Sequence, residues 1–161
     1  MARNSDHRSG GAVTTLPLMG IHHIKFAVTD LDRSLHFYEA FLGAKRIAEA
    51  DHRRTDDGSL YAYILEVPGL GCALELRLNP EQARKHRRFD PLTIAVKNRL
   101  ALEAWDSLLT EKNIRHSPII TAVQGWLIVI EDPDQNRVRL YTLERHGPEL
   151  KPDEANEWLK N

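Results

Sequence analysis

A β-α-β-β-β pattern is written twice into this chain of 161 residues. In the first copy Ile24, Phe26 and Val28 alternate with His23, Lys25 and Ala27, which predicts a strand with one face on a core. Asp30 stands where a helix N-cap is needed, and Leu31, Leu35, Tyr38, Phe41 and Leu42 follow at helical spacing. Gly43 supplies the left-handed stop. Weak alternation predicts a second strand over Lys45 to Ala50, and residues 51–58 (DHRRTDDG) carry turn chemistry. Leu60 to Val67 reads as a strand that Pro68-Gly69 breaks. From Cys72 to Leu78 the chain then alternates cleanly, with Cys72, Leu74, Leu76 and Leu78 opposing Ala73, Glu75 and Arg77.

The second copy begins with Leu92, Ile94 and Val96, a cap at Asn98, and a helix to Lys112 carrying Leu102, Trp105, Leu108 and Leu109. Strands are expected near Ser117 to Ala122, Trp126 to Ile130 and Val138 to Leu143, with a tight turn over residues 132–136. An offset of 68 residues lays Ala27-Val28 on Ala95-Val96, Phe37 on Trp105 and Phe41 on Leu109. One such half cannot cover both faces of a four-stranded sheet, so a tandem pair in one α+β domain is physically sensible. The expected organisation is a disordered leader (1–18), one domain (19–145) and a polar C-terminal tail (146–161) docked loosely, if at all. Within the domain, modules at about 20–78 and 91–145 flank a polar, basic linker at 79–90.

Charge and composition exclude several functions. The net charge of −1 supplies no global field for nucleic acid or an anionic membrane, and the run Arg84-Lys85-His86-Arg87-Arg88 reads as a solvated loop. No apolar run approaches the roughly 20 residues that span a bilayer, and no signal-peptide apolar region opens the chain. The single cysteine, Cys72, reads as buried filler and fits a reducing, cytoplasmic setting. No Ser-His-Asp arrangement, phosphate-cradling glycine loop or paired-cysteine metal motif is present.

The order and spacing of His22 to Leu31 (HHIKFAVTDL), Ser34 to Gly43 (SLHFYEAFLG), Ala73-Leu74-Glu75-Leu76 and Glu131-Asp132-Pro133-Asp134, with the internal repeat, resemble the vicinal oxygen chelate superfamily. That superfamily includes glyoxalases, extradiol dioxygenases, fosfomycin resistance enzymes and bleomycin resistance proteins. The resemblance covers about residues 20–145 and implies tandem βαβββ modules whose curved sheets form a cupped cavity, commonly in a homodimer that sometimes exchanges modules. It also implies metal ligands on the first and last strands of each module, here His23 and Glu75, then Pro91 and Arg139. Proline offers no ligand, and arginine keeps a charge that repels a divalent ion. No cofactor is therefore expected; a divalent metal (Ni, Zn, Fe or Mn) on His23 and Glu75 is the alternative.

If the four positions converge, Arg139 faces Glu75 and a guanidinium–carboxylate pair stands in for the metal. Parity places His23, Lys25, Glu75, Arg77, Thr93, Arg139 and Tyr141 on the cavity side, with Tyr61, Tyr63 or their neighbours on the third strand and Trp126 on the seventh. Lys25, Arg77, Thr93, Trp126, Arg139 and Tyr141 are thus the expected ligand contacts for an anionic or aromatic small molecule. His22, of opposite parity, is placed at the sheet edge or against the helix layer. Two function classes stay open: a small-molecule-binding protein, or an enzyme. The enzyme would be a divergent metal-dependent lyase or dioxygenase, or a metal-free proton-transfer catalyst using His23 and Glu75.

Overall fold

The computed structural model describes residues 16–160, so most of the expected leader lies outside the described residues. Strand β1 (His23–Val28) runs into helix α1 (Leu31–Leu42). The Asp30 carboxylate accepts from the Arg33 amide at 2.9 Å, and Gly43, left-handed at φ 64°, closes the helix. Next come β2 (Lys45–Arg46), β3 (His52–Arg53), β4 (Leu60–Glu66) and β5 (Ala73–Leu78). They form a mixed sheet in the order β1-β5-β4-β2, with β3 also paired to β4. The second module repeats the plan. Helix α3 (Arg99–Glu111), capped by Asn98, follows β6 (Leu92–Val96), and then come β7 (Ile120–Thr121), β8 (Trp126–Glu131) and β9 (Arg137–Thr142). Their order is β6-β9-β8-β7.

The core-parity rows of both sheets meet in one apolar cluster. Phe26, Tyr38, Phe41, Leu74 and Leu76 of the first module are buried with Leu102, Leu109, Ile128, Ile130 and Leu140 of the second. Each such side chain contributes roughly 1.5–3 kcal/mol by leaving water. Helices α1 and α3 touch through Phe41 and Trp105, whose ring centroids are 5.9 Å apart. The helix layer therefore lies between the two sheets, and the other face of each sheet lies on the far side of this core.

The turn between β8 and β9 locks the modules together. Asp134 accepts from the Thr29 amide (3.0 Å), the Thr29 hydroxyl (2.6 Å) and Arg33 (3.0 Å), while Tyr38 donates to the buried Asp132 at 3.1 Å.

Three expectations need correction. The strand expected over Lys45 to Ala50 stops at Arg46, and a 3₁₀ turn at Ala48–Ala50 follows. The start of the DHRRTDDG turn forms β3, because His52 and Arg53 pair with the free edge of β4. The linker holds a short helix, α2 (Pro80–Lys85), started by Asn79 as cap and Pro80 in the first turn.

The tail does not dock loosely. Trp158 and Leu159 pack on Ile120, Ala122, Leu127 and Val129, and the buried Arg137 donates to the carbonyls of Trp158 and Lys160 at 2.9 Å each. The physical reason lies in β8, whose residues are all apolar except Glu131. Ile128 and Ile130 face the core, so Leu127 and Val129 need a cover of their own.

Candidate functional site

Glu75 anchors the polar face of the first sheet. Flanked on β5 by the buried Leu74 and Leu76, its own side chain turns to the opposite face yet is only 1% exposed. A carboxylate so buried requires partners. Arg77, two residues along the same face, donates Nε to Glu75 Oε1 at 2.6 Å. His23 Nε2 lies 3.2 Å from Oε2, and His52 Nδ1 lies 3.9 Å from Oε1. His22, just ahead of the edge strand β1, approaches His23, Nδ1 to Nδ1 at 2.9 Å. Lys25 is in register with Glu75 on the neighbouring strand and is exposed.

A bulge adds an aromatic. His52 pairs with Ala62 but Arg53 pairs with Leu60, so Tyr61 is the extra residue on β4. Its ring centroid lies 5.7 Å from that of His52, and the guanidinium carbons of Arg77 and Arg54 approach it at 5.1 and 5.6 Å. Tyr61 and Arg77 line an open cleft of about 600 Å³ with Arg53, Arg54 and Asn79. Tyr63, by contrast, is buried and donates to Asp32 at 2.7 Å.

The register makes the two modules directly comparable. Lys25 pairs with Glu75 in the first sheet and Thr93 with Arg139 in the second, so Arg139 occupies the place of Glu75. It does not face Glu75: its guanidinium is bonded to Asp90, at the end of the linker. The convergence expected of these two residues does not occur within the chain, because the helix layer separates their sheets. Thr93 is exposed, and Tyr141 packs beside the tail while its hydroxyl accepts from the Gln124 amide at 3.3 Å. Trp126 belongs to the core cluster, near His146 and Arg99, and not to the polar face. The structure therefore brings His23, Lys25, Glu75 and Arg77 together and leaves Thr93, Arg139 and Tyr141 in a second group. Among the described residues no hydrogen bond or ion pair joins the groups.

Of the four positions where the resemblance places metal ligands, two carry ligating side chains. These are His23 and Glu75, and Glu75 already neutralises Arg77. Pro91 and Arg139 hold the others. No group of three or more His, Cys, Asp or Glu among the described residues is arranged around a common metal position. His52 and Asp90 escaped the sequence reading because each is delivered by a segment that reads as turn or linker. Tyr61 is among the aromatic residues expected to line the site from the third strand, and the bulge there is not expected.

Comparison with known proteins agrees with this architecture. A model of the Glyoxalase/Bleomycin resistance protein/Dioxygenase superfamily matches residues 20–140. Among solved structures, a glyoxylase/bleomycin resistance protein/dioxygenase domain from Frankia sp. EAN1pec is 21% identical with a TM-score of 0.61, covering 78% of this chain and 98% of that one. TnmS3, an antibiotic binding protein from Streptomyces sp. CB03234, is 16% identical with a TM-score of 0.63, covering 80% and 98%. The fosfomycin resistance protein FosX from Listeria monocytogenes is 15% identical with a TM-score of 0.62, covering 83% and 98%. At these identities the likeness is one of fold. No curated protein matches the chain.

Proposed function

The chain belongs to the glyoxalase/bleomycin resistance protein/dioxygenase superfamily, and from that premise we propose that it binds a small anionic or aromatic molecule on the polar face of its first sheet, where the family metal site has become degenerate. The observation that carries this reading is the 2.6 Å bond from Arg77 to Glu75, with Arg139 at the register-equivalent position. Guanidinium groups stand where a metal centre would need acceptors. Arg54 and Arg77 supply positive charge beside the Tyr61 ring, and Lys25 adds another next to Glu75 on the neighbouring strand, which suits a carboxylate or phenolate on an aromatic frame. The antibiotic-binding description of the Streptomyces neighbour accords with such a role. A homodimer would let Thr93, Arg139 and Tyr141 of a second copy complete the cavity, and the lone Cys72 fits a cytoplasmic setting.

A second reading rests on His23, whose Nε2 lies 3.2 Å from the Glu75 carboxylate. An imidazole oriented in this way can take a proton from a bound substrate without a metal.

Calorimetric titration with benzoate- and catechol-class ligands tests the proposal. Saturable binding without turnover, weakened about tenfold in Tyr61→Ala and in Lys25→Ala, is the expected result. Turnover lost in His23→Ala would favour the second reading. Near-stoichiometric Ni, Zn, Fe or Mn in the purified protein, lost in His23→Ala, would overturn both.

A further inference from the structure

The geometry points to a separate site for a tetrahedral oxyanion, a phosphate or the phosphoryl end of a small monoester, in the cavity between the start of α1, helix α2 and the β8–β9 turn. The cavity holds about 200 Å³, and its lining includes Thr29, Arg33, Ala83, Arg84, Arg87 and Asp134. It shares no lining residue with the cleft at Tyr61 and Arg77. The Arg84-to-Arg88 run, which reads as a solvated loop in the sequence, delivers two of its arginines here.

Charge and donor count select the ligand. Asp134 is the one acidic side chain in the lining, and Thr29 and Arg33 already satisfy it: the Thr29 amide at 3.0 Å, its hydroxyl at 2.6 Å and the Arg33 guanidinium at 3.0 Å. Its charge is balanced by Arg33. Arg84 and Arg87 have no ion-pair or hydrogen-bond partner among the described residues, so the cavity carries two uncompensated positive charges. Three guanidinium groups, each with five N–H donors in a planar fork, surround a space with almost no free acceptor. An acceptor-rich dianion with oxygens on several sides meets that demand, whereas a cation or a neutral apolar molecule does not. A volume of 200 Å³ admits a phosphate group with a few further atoms. The neighbouring Lys85 is engaged by Glu81 at 2.7 Å and does not line the cavity.

The test is a titration of the full chain with inorganic phosphate and with glycerol phosphate at constant ionic strength in chloride, followed by calorimetry and by amide shifts in NMR. Saturable binding that shifts the Thr29 and Gln135 amides is expected. Arg84→Gln with Arg87→Gln should weaken it about tenfold or more, since each arginine contributes charge-assisted hydrogen bonds. Lys85→Gln, which removes the same type of charge outside the cavity, should leave it unchanged. Tighter binding of the ester would identify a monoester headgroup, and equal binding the free ion. An unchanged unfolding midpoint in chloride would show that the arginine variants are folded. The proposal fails if the parent shows no saturable binding, or if Lys85→Gln weakens binding as much as the arginine variants do.

Discussion

Asp132 keeps its charge at a cost. Burial pushes its carboxyl up from 3.8 to about 6, even though Asn136, Tyr38 and backbone amides donate to it. Between about pH 4 and pH 6 the folded chain therefore holds a proton that the unfolded chain has lost. Stability from this group is full below about pH 4, falls as pH rises through that window, and is lower by about 3 kcal/mol above it. Asp132→Asn removes the titration. Urea unfolding of the two proteins at several pH values should show a slope in the parent that is missing, or much shallower, in the variant; equal slopes would contradict this account. The same burial, with Asp132 alongside, keeps the Tyr38 hydroxyl protonated well past its usual range. At the candidate site, the Glu75–Arg77 pair could be read directly from the sequence, because residues two apart on a strand share a face. The partners His52 and Asp90 could not, since alternation says nothing about which loop will arrive at a given residue.

The C-terminal segment is a structural element with a definite task. Trp158 and Leu159 cover Leu127 and Val129, and Arg137 fixes the segment by its carbonyls while pairing with Glu131 at 3.2 Å. Trp158→Ala should cost about 1–3 kcal/mol, in keeping with a partly buried aromatic. Ending the chain at His146 should cost more and raise the fluorescence of a dye that binds exposed apolar surface; a truncated chain with the parent's stability and no dye response would show the cover to be dispensable. Sequence pattern revealed the caps Asp30 and Asn98, the stop at Gly43 and both long helices, because periodicity and cap chemistry are local. The tail went unread because its few apolar residues, Leu150, Ala155, Trp158 and Leu159, follow no period, and its place is set by the unmet need of β8 for a second cover. Two-residue strands such as β2, β3 and β7 are likewise products of pairing more than of propensity.

Across the whole molecule, the repeat could be read from the sequence but the placement of its halves could not. With α1 and α3 between the sheets, the Glu75 face and the Arg139 face lie on opposite sides of one core, so a single copy cannot close a cavity from both. Strands β1 and β6 are sheet edges, and an edge invites pairing with another chain. Leu16, Leu18, Met19 and Ile21, just ahead of β1, are from 68% to 98% exposed, an apolar segment at the same edge. A second copy that sets its β6 edge and Arg139 face beside β1 would cover this segment and bring Thr93 and Tyr141 towards Lys25 and Arg77. Sedimentation at micromolar concentration should then give a dimer, and Leu18→Asp with Ile21→Asp should shift it to monomer while leaving each module folded. Ligand affinity decides what the dimer is for. If the monomeric variant binds as tightly as the parent, the first sheet is a complete site; if affinity falls with dissociation, the second copy supplies the missing wall.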